Sequence, residues 1–176
     1  MALEEISVKK LTLRYDGLFD FDAMYAMITD WAKNYNYIWH EAEYKHKAAG
    51  KGAEQEFKWV LSLKVNEWVN YEITVTVHTW DILEVEVEVE GKKKAFSNAR
   101  ITMDFNGKLT LDRQDIFKKG SSGKLFGGWY KKLFSAETDE YYDQLYYRMQ
   151  SLHALVKKYF DMQGKKHVFK GYLGEN

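Results

Sequence analysis

The chain has 176 residues, enough for one sizeable core and short for two, and its 26 Lys plus Arg balance 26 Asp plus Glu, so it lacks the global basic field of a nucleic-acid binder. Cysteine and proline are both absent, which excludes disulfides, zinc–thiolate sites and thiol nucleophiles and suits long uninterrupted strands and helices. Apolar residues make up 45% of the chain, yet no apolar run reaches the roughly 18–20 residues of a membrane span and the N-terminus lacks a signal-peptide segment; a soluble cytoplasmic protein is expected.

Residues 6–15 alternate as Ile6, Val8, then Leu11, Leu13 and Tyr15, with a phase slip at Lys9 and Lys10, which predicts a strand with a bulge. Asp16-Gly17 reads as a turn. Helical spacing follows, with Phe21, Met24, Tyr25, Ile28, Trp31 and Ala32 on one face and Asp20 or Asp22 as N-cap. Period two returns from Tyr35 to about Lys47 and ends in the turn AAGKGA at 48–53; Tyr44 and His46 are expected to face away from Trp39, Glu41 and Glu43.

Phe57, Trp59, Leu61, Leu63 and Val65 then share one face, and Tyr71, Ile73, Val75, Val77 and Thr79 repeat the pattern. Leu83, Val85, Val87 and Val89 repeat it again, opposite a comb of Glu84, Glu86, Glu88 and Glu90. The breaks at 66–70 and at Trp80-Asp81 contain no glycine, and the second is either a turn or a bulge within one long strand. EGKKK at 90–94 turns the chain, Ile101, Met103 and Phe105 alternate next, and Asn106-Gly107 is a strong hairpin signal before Leu109 and Leu111.

Residues 118–134, KKGSSGKLFGGWYKKLF, mix glycine and serine with large apolar side chains. Three readings are open for this segment: a lid over a cavity, an anchor for a partner protein or membrane surface, and core packing. Residues 137–162 form a long helix, with Tyr142, Leu145, Met149, Leu152, Val156 and Tyr159 at three-and-four spacing and Gly164 placed to end it. Residues 1–164 therefore read as a single domain and 165–176 as a C-terminal tail.

The predicted class is α+β, a curved antiparallel sheet of six to seven strands packed on a long C-terminal helix. This β-α-β6-α order resembles the helix-grip fold of the START and polyketide-cyclase (SRPBCC-like) superfamily. The resemblance covers most of the chain and is one of element order. It implies a sheet gripping the last helix, with an apolar pocket between them for a hydrophobic ligand.

Alternate residues on a strand sit about 6.6–7 Å apart, a separation that suits the paired carboxylates of an inverting glycosidase. An acid catalyst also needs a buried carboxyl in a cleft. The apolar row of Leu83, Val85, Val87 and Val89 is assigned to the core, which sends all four glutamates to water with Lys58, Lys64 and Lys92 to Lys94 as cross-strand partners. His40, His46, His78, His153 and His167 show no HxH or HExxH spacing, and GxSxG, GxGxxG and GxxxxGKS are absent.

No metal, cofactor or catalytic residue is assigned. The expected function is non-enzymatic binding of a hydrophobic small molecule or lipid, walled by Trp59, Leu61, Val75, Trp129, Tyr142, Leu145, Met149 and His153. The alternative is a protein-interaction module docking on a larger assembly through Leu125, Phe126, Trp129, Tyr130 and Phe134. Nucleic acid is not an expected partner.

Overall fold

A computed structural model describes residues 4–49, 52–89, 92–111 and 127–172. The elements run β1 (Glu4–Ser7), β2 (Leu11–Phe19), α1 (Phe21–Asn34), β3 (Ile38–Ala49), β4 (Gly52–Lys64), β5 (Val69–Val89), β6 (Lys92–Leu111) and α2 (Gly127–Tyr172). The six strands form one curved antiparallel sheet in the order β1-β6-β5-β4-β3, with β2 also paired to β6. The class is α+β, as expected.

Several local expectations are corrected. The predicted strand at 6–15 is two strands lying end to end along β6, Ser7 opposite Lys108 and Leu11 opposite Phe105. Three residues, Val8 to Lys10, thus face two, which absorbs the phase slip. Asp16 and Gly17 lie inside β2, paired with Arg100 and Ala99, rather than in a turn.

Asn106-Gly107 makes no hairpin: β6 passes straight through it, pairing with Thr74 and Ile73 of β5. A Cβ on Gly107 would stand 3.1 Å from Val8 Cβ and 3.4 Å from Met149 Sδ. The glycine therefore serves close approach of the β1–β2 junction and α2 to the sheet. The hairpin before β5 forms without glycine because Asn66 Oδ1 accepts from the backbone N–H groups of Trp68 (3.0 Å) and Val69 (2.8 Å).

Two bulges reset side-chain phase. In β3 the register shifts between Glu41 and Glu43, so Tyr44 pairs with Phe57 while Trp39 pairs with Leu61. Tyr44 and His46 consequently share the face of Trp39 and Glu41, contrary to the alternation read from the sequence. In β5 the extra residue is Asp81, at φ 56°. Trp80 pairs with Arg100 but Leu83 with Asn98. Before the bulge odd residues face the core; after it even residues do. Leu83 is 53% exposed and Val85 38%, so the apolar half of the comb is not the core side and does not face α2. Ile82 packs against the core instead, in phase with Glu84, Glu86 and Glu88.

Both helices cover the core face of the sheet. α1 starts where Asp20 Oδ1 accepts from Ala23 N–H at 3.0 Å, and it buries Met24, Ile28, Trp31 and Ala32, the expected face. α2 buries Leu145, Met149, Leu152, Val156 and Phe160 against β2 and β6. It is longer than predicted and runs through Gly164. Helix geometry tolerates that residue, and a Cβ there would meet Tyr15 at an ordinary 3.9 Å.

The two layers are tied by Tyr159, whose hydroxyl donates to the Asp20 carbonyl at 2.6 Å and accepts from the Asp20 N–H at 3.1 Å. Tyr159→Phe leaves the Asp20 N–H unpaired and the Asp20 carbonyl with only the Met24 N–H, at 3.1 Å, and is expected to cost about 1–3 kcal/mol. Burial, reinforced by the nearby Asp20, also holds this hydroxyl well above the ordinary tyrosine range. The folded chain then keeps a proton that the unfolded chain begins to release near pH ~10. The contribution of Tyr159 to stability is constant below that pH and is lost above it. Urea unfolding should show a shallower alkaline decline in the variant, the remainder coming from Tyr15, Tyr37 and Tyr141, whose hydroxyls burial also raises, and from Tyr71, which burial pushes up to about 12.

Candidate functional site

Where β2 hands over to α1, the end of the sheet–helix sandwich opens into a cleft of about 190 Å³. Phe19 and Asp20 close β2, Phe21 and Asp22 begin α1, Gln55 and Thr79 come from β4 and β5, and Ala95 to Ser97 come from β6. The Asp81 bulge adds Ile82 and Glu84: its extra residue turns even-numbered side chains of β5 toward this side, and Glu84 pairs with Ser97 across the cleft floor.

Asp20 organises the site. It is only 4% exposed, and its carboxylate caps α1 through one oxygen and pairs with the Lys94 ammonium through the other. A buried carboxylate needs such partners, because desolvation of an unpaired charge costs several kcal/mol (about 3–5). Lys94 Nζ also lies 5.9 Å from the Phe96 ring centroid. Thr79 is fully buried and its hydroxyl donates to the Gln55 carbonyl at 3.1 Å. Phe21 meets Phe57 at 5.2 Å between ring centroids, which joins the cleft to the aromatic cluster of Tyr25, Trp39 and Trp59. No ion pair joins Asp22 or Glu84 to another described residue. The cleft thus offers an apolar wall, a polar wall and two carboxylates, Asp22 and Glu84, without an ion-pair partner among the described residues.

The residues assigned to a ligand wall from sequence are distributed differently. Trp59, Leu61, Val75, Leu145 and Met149 all have 0% exposure and belong to the packed core. Tyr142 and His153 are half-buried on α2, and the His153 ring meets the edge of Phe105 at 5.5 Å. Trp129, Tyr130 and Phe134 lie in the opening turns of α2, but their side chains fall outside the described residues, as do Leu125 and Phe126 altogether. The cleft residues Phe19, Asp20, Gln55, Phe96 and Ser97 had no sequence signal beyond the N-cap at Asp20, since they converge only through the sheet's long-range pairing.

Among the described residues no cluster of three or more His, Asp or Glu is placed to hold a metal ion, and no helix is long and apolar enough to cross a membrane. His78 is used locally, with Nε2 2.6 Å from Glu54 and its ring stacked on Trp80 at 3.9 Å. Lys93, one of the lysines expected beside the glutamate comb, pairs with Glu86 at 3.4 Å.

No protein-family model and no curated protein matches the chain. Among solved structures, CalU16 from Micromonospora echinospora is 13% identical over 89% of this chain and 99% of its own, with a TM-score of 0.17, too low to support a statement about fold or function.

Proposed function

We propose that the chain is a non-enzymatic binding protein that takes a small, partly apolar molecule at the open end of the sheet–helix sandwich. The cleft carries this reading. Its volume of about 190 Å³ exceeds the roughly 150 Å³ that accommodates a benzene-sized guest. Phe19, Phe21, Ile82 and Phe96 supply apolar surface, and Gln55, Ser97 and Glu84 supply the few polar groups that orient a small ligand. The helix-grip resemblance to the START and polyketide-cyclase superfamily supports the same reading by element order alone, a fold-level analogy. On this reading the fully buried Trp59, Leu61, Val75, Leu145 and Met149 are the packed floor behind the ligand, and a long lipid tail would have to displace them.

The probe 8-anilinonaphthalene-1-sulfonate, followed by native mass spectrometry and fluorescence, tests this directly. A one-to-one complex is expected, and Ala95→Trp, an exposed position on the cleft rim, should abolish it while leaving the thermal midpoint within a few degrees. A complex that survives Ala95→Trp but is lost in Leu145→Phe would move the site into the sandwich. Protein docking through residues 125–134 is the second reading, supported by the helical state of 127–134, since a helix is a common way to present a docking face. Absence of any complex with the probe would favour it.

A further inference from the structure

The outer edge of β2 has no strand beside it among the described residues: β2 pairs with β6 on one side, and no backbone bond from residues 11–17 runs the other way. A groove of about 250 Å³ follows this edge. Its strand wall is Thr12, Leu13, Arg14 and Tyr15, four consecutive residues. Successive side chains on a strand point to opposite faces, so all four can border one groove only if the groove runs along the edge itself. Its other wall is a single stripe of α2, with His153, Lys157 and Asp161 at four-residue steps.

The opposite edge of the sheet is guarded. β3 carries a bulge at Ala42 and charged side chains at Glu41, Glu43, Lys45 and Lys47, the devices that discourage strand addition. β2 has no bulge, and over 11–17 it carries two charged residues, Arg14 and Asp16, against four on β3.

We propose that this groove accepts an extended acidic peptide segment as an added strand beside β2. Main-chain hydrogen bonds to the free edge would supply affinity, and side chains alternating toward α2 and toward the outer sheet face would supply selectivity. Charge sets the partner's sign. Arg14 flanks the edge on the outer face and Lys157 on the helix side, two cationic side chains against Asp161 in the groove lining, with Asp16 following on β2. A second copy of this chain is a poorer occupant, because edge-to-edge pairing would bring two basic grooves together. This surface is separate from the cleft at Asp20 and does not depend on the ligand reading.

The test uses the full chain and fluorescein-labelled eight-residue peptides of alternating Thr-Glu, Thr-Gln and Thr-Lys, compared by fluorescence anisotropy at low salt. The Thr-Glu peptide is expected to bind at least tenfold more tightly than Thr-Lys. Arg14→Glu with Lys157→Glu, both exposed positions, should reverse the order, and Lys157→Glu alone should narrow it. Hydrogen exchange supplies the structural readout: alternate amides of residues 11–17 should slow when Thr-Glu peptide is added. Four results would overturn the proposal: equal binding of all three peptides, an order unchanged by the double reversal, slowing that appears with protein concentration and no peptide, or tighter binding of an eight-nucleotide single strand than of the Thr-Glu peptide.

Discussion

Trp59→Ala is expected to lower unfolding free energy by about 3–5 kcal/mol, read as a shift of the urea midpoint at unchanged slope. Trp59 is fully buried at the centre of β4. Its ring lies 5.1 Å from Trp39, 5.7 Å from Tyr25 and 5.8 Å from Phe57, so it joins β3, α1 and its own strand in one cluster. Its Nε1–H donates to Glu41 at 3.3 Å. Alanine removes the ring contacts that seat α1 on the sheet and leaves a hole that close-packed neighbours fill only in part. Against a total stability of about 5–15 kcal/mol, that loss is large. The measurement also bears on function: a cost under about 1 kcal/mol would mean that the indole already borders open space, which would restore a ligand pocket between sheet and helix.

Gly52→Ala is expected to cost about 2–3 kcal/mol, at the upper end of local backbone strain, and to disturb residues 82–89 more than the rest of the sheet. Gly52 has φ +154°, and a Cβ there would sit 2.8 Å from both Cα and C of Asp81. Those are backbone atoms of the bulge, which cannot swing aside as a flexible side chain does. Asp81 is itself in the left-handed region and is held there by Arg100, whose Nε donates to Asp81 Oδ2 at 3.0 Å. The methyl group therefore forces either β4 away from β5 or Asp81 out of its conformation. Amide chemical shifts of residues 82–89 should move while those of 71–77 stay in place, and probe binding at the cleft should weaken with them. A variant of wild-type stability with unmoved shifts would show that the bulge is held by something other than this contact.

Periodicity was legible wherever one strand face packed against a helix without interruption. Phe57, Trp59 and Leu61, then Tyr71 through Thr79, are buried as their alternation implied, and the stripe from Leu145 to Val156 is the inner face of α2. The N-cap at Asp20 was also legible, because capping is local chemistry. Phase after a bulge was not. Ala42 and Asp81 are ordinary residues in composition, and only pairing with neighbouring strands shows that each is an extra one. Asn106-Gly107 misled for the opposite reason: the dipeptide favours a tight turn, but pairing with β5 on one side and with the β1–β2 junction on the other outweighed it. The cleft remained hidden because Phe19, Gln55, Ile82 and Phe96 come from four different strands.

The extra residue in β5 acts on side-chain orientation as a frameshift acts on a reading frame. Everything from Ile82 to Val89 keeps its composition and its alternation, yet each side chain exchanges its face for the other. Deleting Asp81 would return Leu83, Val85 and Val87 to the core phase and withdraw Glu84 from the cleft, without altering any residue that lines it. In a comparison of this chain with a divergent copy, a one-residue gap at this position would carry more information about the cleft than substitutions within it. An alignment that closed the gap would equate inward positions with outward ones along the rest of the strand.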